Sequence, residues 1–282
     1  MAGIRTIALP GGETIPALGI GTWNLGDTRQ QRGDEITALQ VAVDLGMTVV
    51  DTAEMYGNGA SEELVADALA DRRSEIFLVS KVLPQNATRR GTITSCEASL
   101  RRLKTDRLDM YLLHWRGSVP LDDTLEAFNS LERDGKIRHW GVSNFDVDDM
   151  EDAVGVTRGA GPRVAANQVL YNLMRRGIEY DLLPWCSGRG IPVMAYSPLE
   201  QGRLLRHGAL QTIATRLHAT PAQVALAWTL REPGVLAIPK AGHVDRVREN
   251  HGALDVELSP GDLAQLDAAF PPPTRKKALE MI

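Results

Sequence analysis

What most constrains this chain is a rhythm. From Ala17 onward, short apolar segments rich in Val, Ile and Leu alternate with longer stretches of helical periodicity, the pattern of repeated βα units. Eight segments read as strands: Ala17–Gly21, Thr48–Asp51, Ile76–Lys81, Leu108–His114, Ile137–Ser143, Val164–Gln168, Pro192–Tyr196 and Val235–Pro239. The stretches between them carry apolar stripes such as Ile36, Leu39 and Val43, then Leu64, Val65, Ala68 and Leu69, and later Leu125, Phe128 and Leu131. Ser61, followed by Glu62 and Glu63, and Thr220 before Pro221 read as helix starts. Eight strands with helices to cover them predict an α/β fold, a single (β/α)8 TIM-type barrel.

Two segments fall outside the eightfold pattern. Ile7–Leu18 flanks Pro10-Gly11-Gly12 and reads as an N-terminal β-hairpin, and Ser259–Phe270 reads as an extra C-terminal helix stopped by Pro271, Pro272 and Pro273. At 282 residues, with no linker or low-complexity stretch, residues 1–282 read as one barrel domain.

Composition removes several function classes. Hydrophobic residues make up 43% and charged residues 24%, as in an ordinary soluble protein. The net charge is −5 and the basic residues are scattered, which argues against nucleic acid as a partner. There is no membrane-length apolar run and no basic segment followed by an apolar one at Met1–Gly12, so no membrane association and a cytoplasmic location are expected. Cys96 and Cys186 lie far apart and outside any Cys/His cluster, so neither a disulfide nor a metal is expected. No large apolar stripe is left over, which favours a monomer.

A β/α barrel builds its active site at the carboxyl ends of its strands. Here those ends are Gly21-Thr22-Trp23, Asp51, Lys81, His114, Ser143-Asn144, Gln168, Tyr196-Ser197 and Lys240. Singly, each has an ordinary explanation: Asp51 a turn cap, Lys81 a snorkelling chain, His114 a core histidine, Ser143-Asn144 a helix start. An acid, a lysine and a histidine closing three successive strands of one face are harder to dismiss, because charges forced together there must pair and shift one another's pKa. Tyr56 sits one short loop beyond Asp51. A lysine ammonium beside its phenol would favour the phenolate and make a group that ordinarily titrates near ~10 a better acid. His114 would then orient a substrate carbonyl or relay the proton.

At these residues the chain resembles the aldo-keto reductases. The likeness rests on Asp51-Thr52-Ala53-Glu54-Met55-Tyr56-Gly57, Val79-Ser80-Lys81, Tyr111-Leu112-Leu113-His114-Trp115 and Gly141-Val142-Ser143-Asn144-Phe145. It continues, in the family's order, through Asn167-Gln168, Tyr196-Ser197-Pro198-Leu199, Ile238-Pro239-Lys240 and Arg246 to Asn250. Within the family the likeness is to bacterial members that reduce methylglyoxal and related aldehydes, or diketogluconate. The resemblance implies NADPH (NADP+) held in extended form without the Rossmann glycines; consistently, Gly19 and Gly21 are followed by Asn24 where a third glycine would fall.

The resemblance also implies roles. Tyr56 corresponds to the general acid, Lys81 and Asp51 to the pair that tunes it, and His114 to the residue that positions the carbonyl. Tyr196 would stack on the nicotinamide and Ser143, Asn144 and Gln168 would bind its carboxamide, with Gly21, Thr22, Trp23 and Asp51 alongside. Ser197, Pro198, Leu199 and Gly202, then Ile238, Pro239, Lys240, Ala241, Arg246, Glu249 and Asn250, would hold the remainder, Lys240 and Arg246 being suited to a 2′-phosphate. Trp23, Tyr56, His114 and Trp115 would line the substrate pocket, while Trp140, Trp185 and Trp228 are assigned to packing.

Three positions depart from the pattern. Ala241 offers no hydroxyl where many relatives have Ser or Thr; Arg116 replaces a common proline and offers a cation to an anionic substrate, or is a solvated loop arginine; Glu200 replaces a small residue and reads as surface charge. The expected activity is NADPH-dependent reduction of aldehydes and activated ketones, methylglyoxal-type 2-oxoaldehydes or keto-sugar acids. The alternatives are an NADPH-binding redox-sensing regulatory subunit with little turnover, and a barrel lyase or isomerase using Lys81 as a Schiff-base nucleophile.

Overall fold

The computed structural model describes residues 4–156 and 164–282. A hairpin, β1 (Thr6–Ala8) and β2 (Thr14–Pro16), pairs Ile7 with Ile15 and turns through Gly11 and Gly12, both at positive φ. Eight parallel strands follow: β3 (Ile20–Gly21), β4 (Val49–Asp51), β5 (Phe77–Val82), β6 (Leu108–Leu113), β7 (Ile137–Ser143), β8 (Val164–Leu170), β9 (Val193–Tyr196) and β10 (Val235–Ala237). They run in sequence order around one sheet, and parallel bridges from Leu18 to Ala237 and from Gly21 to Lys240 join the first strand to the last. Every predicted strand is present, with ends shifted by at most a few residues.

The helices are α1 (Arg32–Asp44), α2 (Ala60–Leu69), α3 (Arg89–Leu103), α4 (Leu121–Arg133), α5 (Val147–Val156), α6 (Leu182–Ser187), α7 (Gly208–Arg216), α8 (Pro221–Leu230), α9 (Val244–His251) and α10 (Pro260–Ala269). Leu39, Val43, Leu64, Val65, Leu125, Phe128 and Leu131 are buried between helices and barrel, as their spacing predicts. Thr220 caps α8 in a reciprocal capping box with Gln223, and Ser259 caps α10 likewise. Ser61 does not start α2. The helix begins at Ala60 after a left-handed Gly59, and the buried Ser61 hydroxyl donates instead to Thr22 Oγ1 at 2.7 Å, because the loop after β3 crosses above it. One helix was not anticipated: α7, whose Leu210 and Ile213 are buried, lies between β9 and α8.

Inside the barrel a second apolar cluster fills the axis. Ile7, Leu9 and Ile15 of the hairpin region plug its amino end against Val49, Phe77, Met110, Met194 and Leu236. Both cysteines are buried and free, their thiols pushed up to about 12 by burial and so unreactive at neutral pH.

Closure depends on glycine. Gly19 donates its N–H to Ala237 O at 2.9 Å, and a Cβ there would lie 2.6 Å from Val49 O; at Gly21 one would lie 2.8 Å from Ile238 O. These glycines admit a neighbouring strand rather than a phosphate. Gly19→Ala is therefore expected to lower the unfolding free energy by about 1–3 kcal/mol, as overpacking does, read as a lower midpoint in urea; an unchanged midpoint would show that the seam has slack.

Candidate active site

The period of two along each strand decides which side chains enter the barrel. Val49, Val79, Met110, Leu112, Met194 and Leu236 face the axis, so two residues further along Asp51, Lys81, His114, Tyr196 and Ile238 face it at the carboxyl end. Parallel pairing of β4 with β5 and β5 with β6 sets the first three side by side.

Lys81 is fully buried and each of its three ammonium protons has an acceptor: Asp51 Oδ2 at 2.9 Å, Thr52 O at 2.9 Å and Tyr56 Oη at 3.1 Å. Asp51 is held from the other side by Gln168, whose Nε2 donates to Oδ1 at 2.7 Å. Burial works against the Lys81 charge, but Asp51 and then Tyr56 outweigh it, so the amine's pKa is raised and it remains an ammonium. A lysine with no solvent access and no lone pair is unsuited to Schiff-base chemistry.

Tyr56 behaves differently from the sequence expectation. Burial lifts its phenol above the ordinary value even though the Lys81 ammonium pulls it down, so the group stays protonated at neutral pH. Lys81 limits that rise and stands ready to stabilise the phenolate once the proton has left. His114 lies edge-on to Tyr56, with ring centroids 5.9 Å apart, and its pKa falls to about 3 through burial and then the Lys81 charge. It is a neutral imidazole, and its buried Nδ1 has no hydrogen-bond partner.

Two adjoining clefts run along this face of the barrel. The first, about 390 Å³, has Tyr56, His114, Asp51, Ser143, Asn144, Gln168 and Tyr196 at its polar end and Trp23, Met55, Trp115, Ile238, Met281 and Ile282 as apolar walls. The second, about 470 Å³, runs past Pro198, Leu199, Gly202, Pro239 and Ala241 to Arg246, Glu249 and Asn250. Trp23, Ser197 and Lys240 line both, so they form one trough.

Nearly all the residues singled out in the sequence thus come together. Thr22 does not reach the trough: it is buried behind it and donates from Oγ1 to Asp51 O at 2.9 Å. Lys81 also lies behind the surface, acting through Asp51 and Tyr56. Asn144 is largely used within the wall, donating from Nδ2 to His114 O and to Ser143 Oγ, both at 3.1 Å, and accepting from Tyr196 Oη at 3.0 Å. Arg116 pairs with Asp149 at 3.0 Å and Asp152 at 2.9 Å and does not line the cavity. Trp140 and Trp228 are packed in the core, and Trp185 packs against it.

Glu200 is a correction. The sequence suggested a surface charge, but the residue is fully buried. Ser197, Glu200 and Gln201 all have positive φ, which costs roughly 1–2 kcal/mol per non-glycine residue and turns the side chain inward. There Oε1 accepts from Arg175 Nη2 at 3.0 Å and Arg203 Nη2 at 3.1 Å, and Oε2 from Asn172 Nδ2 at 2.9 Å. Burial raises its pKa, but these partners, Arg175 above all, bring it below the ordinary carboxylate value. Sequence reasoning also missed Thr52 O, Met55, Asn172 and Arg175. A backbone acceptor leaves no signal in a sequence, and an arginine 25 residues away from its acid leaves only a weak one.

No group of His, Cys, Asp and Glu suited to a metal occurs among the described residues, and no described helix is long and apolar enough to cross a membrane.

A half-buried phenol hydrogen-bonded to a buried lysine ammonium at the mouth of a β/α barrel, opening onto a continuous trough, is an arrangement able to give a proton to a bound molecule. The chain belongs to the aldo/keto reductase family, whose model matches residues 17–270. It is 49% identical to the methylglyoxal reductase YeaE of Escherichia coli, over 99% of both chains, and 36% identical to the glyoxal reductase of Bacillus subtilis, over 93% of this chain and 92% of that one. Among solved structures, an aldo-keto reductase from Klebsiella pneumoniae in complex with NADPH superposes with a TM-score of 0.96 at 49% identity over 100% of each chain.

The site makes an electrostatic prediction. In protein carrying labelled histidine, the His114 imidazole should stay neutral in NMR down to about pH 4. Because its pKa is depressed from the 6.5 of an unfolded histidine to about 3, the unfolded chain binds the extra proton first. His114 therefore makes stability fall as pH drops from 6.5 towards 3 and has no such effect above 6.5. A His114 signal titrating near 6 would overturn this account.

Proposed function

We propose that this protein is a cytoplasmic, monomeric NADPH-dependent reductase of small reactive carbonyls, 2-oxoaldehydes of the methylglyoxal type foremost, with residues 1–282 acting as one barrel domain. The observation that carries the reading is the Asp51–Lys81–Tyr56 chain, which presents a protonated phenol to the first cleft of the trough. The relatives named above act on methylglyoxal and glyoxal, which favours the same substrate class here.

The residues present fit the cofactor. Gln168 spends its side-chain amide N–H on Asp51 and keeps its side-chain Oε1 available to a carboxamide, and the Ser143 hydroxyl donates to the main-chain O of Gln168 at 2.8 Å while retaining acceptor capacity. Lys240 is exposed with no ion-pair partner among the described residues, and Arg246, though bonded to Glu249 at 2.6 Å, is largely open; both suit a 2′-phosphate. Ala241 adds no hydroxyl, so preference over NADH rests on these cations.

When bound, reduced nicotinamide supplies the hydride. The protein's own part is positioning and proton delivery. Neutral His114 orients the carbonyl oxygen towards Tyr56, whose hydroxyl gives up its proton as charge develops there. Lys81 stabilises the phenolate at 3.1 Å, Asp51 keeps Lys81 charged, and Gln168 keeps Asp51 in place. The apolar walls exclude water from the reacting atoms. With Arg116 committed to two aspartates, the substrate end gains no cation from that position, which favours uncharged aldehydes over keto-sugar acids.

Purified protein is expected to oxidise NADPH with methylglyoxal, faster than with NADH. Tyr56→Phe should lose about 10²–10⁴-fold in kcat while keeping its affinity for NADPH by fluorescence titration. Turnover retained by that variant would remove Tyr56 from the donor role, and wild-type protein that binds NADPH but reduces no aldehyde would favour a redox-sensing subunit.

A further inference from the structure

Behind the trough, the Arg175 guanidinium joins two segments that are far apart in sequence. On one side its Nε and Nη2 donate to Glu200 Oε1 at 3.1 and 3.0 Å. On the other its Nη1 donates to Glu280 Oε1 at 2.6 Å.

Each acid governs one wall. Glu200 closes the left-handed turn Ser197–Gly202, of which Ser197, Pro198, Leu199, Gln201 and Gly202 line the second cleft. Buried Asn172 ties the same turn from below, donating from Nδ2 to Ser197 O and Glu200 Oε2, both at 2.9 Å. Glu280 immediately precedes Met281 and Ile282, which wall the first cleft. The rest of the tail has its own ties: Leu279 packs on the core, Lys276 lies 3.7 Å from Asp148 and 3.8 Å from Asp181, and the Ile282 backbone hydrogen-bonds to Tyr196. Because the Glu200 carboxylate has no solvent to fall back on, its geometry depends on the arginines and Asn172. A guanidinium is a rigid planar fork, so a shift on one side is passed to the other.

We propose that Arg175 is a positioning residue that couples the two ends of the trough, setting the cofactor-cleft wall through Glu200 and the substrate-cavity wall through Glu280. The inference rests on the reading that NADPH and a carbonyl compound share this trough. Coupling of this kind is reciprocal, so each ligand's affinity depends on the same guanidinium.

Three single variants and one double variant of the full chain separate the arms. NADPH affinity is read by quenching of tryptophan fluorescence, carbonyl KM and kcat by NADPH oxidation with methylglyoxal, and folding by circular dichroism. Glu280→Gln should raise the carbonyl KM by roughly five-fold or more and, through Arg175, the NADPH Kd by a smaller factor, leaving kcat within two-fold. Glu200→Gln should weaken NADPH binding by a similar factor. Arg175→Met should do both, and the double variant Glu200→Gln/Glu280→Gln should be no worse than Arg175→Met. A folded Arg175→Met protein with wild-type NADPH Kd and carbonyl KM overturns the proposal, as does one that loses only thermal stability. If the buried-site variants fail to fold, Glu280→Gln decides, since its carboxylate is 40% exposed: an unchanged carbonyl KM there overturns the coupling. Wild-type protein that fails to bind NADPH overturns the functional reading as well, whereas wild-type binding with unaffected variants overturns the coupling alone.

Discussion

A lysine ammonium with no exposed surface is the constraint on which this site depends. Removing such a charge from water costs several kcal/mol even after relaxation, and it is tolerable only when every proton finds an acceptor. Asp51, Thr52 O and Tyr56 Oη supply those acceptors, and Gln168 secures the acid in turn. The same charge lowers the basicity of His114 and opposes the burial that would otherwise lift the Tyr56 phenol further. Burial and this one fixed positive charge together leave the histidine neutral, while burial keeps the phenol protonated against the pull of the charge, which awaits the phenolate that proton transfer would create.

Around that centre the walls are built from backbone that L-residues seldom adopt. Asn144 and Ser197 leave their strands at positive φ, and Glu200 and Gln201 continue the departure. Such conformations persist only where surrounding contacts over-determine them. Here the contacts are side-chain hydrogen bonds: Asn144 to His114 O and Ser143 Oγ, Asn172 to Ser197 O, and Glu200 to two arginines. The trough is shaped by buried polar groups as much as by the apolar walls that a ligand would touch.

Much of this was legible in the sequence because it is written locally. Alternating βα segments, apolar stripes at helical spacing and the helix start at Thr220-Pro221 are short-range patterns, and all appear in the structure. The strand-end residues were legible too, since a period of two carries Val49 to Asp51 and Val79 to Lys81 on one face. Ser61, Glu200 and Arg116 read wrongly or ambiguously for a common reason. Their partners, Thr22, Arg175 and Asp149, lie on other elements, and nothing near them in the sequence announces the encounter.

The sequence by itself determined the barrel, the face on which chemistry-bearing side chains gather, and the family resemblance that assigned their roles, because these follow from periodicity and from motifs read in order. Only the tertiary structure decided the protonation states, since burial and the Lys81 charge act on Tyr56 and His114 through space. It also decided that Glu200 belongs to the interior, that Thr22 stands behind the trough rather than in it, and that Arg116 is spent on α5. Each of these depends on which distant segment the fold brings within hydrogen-bonding distance, a quantity no local pattern encodes.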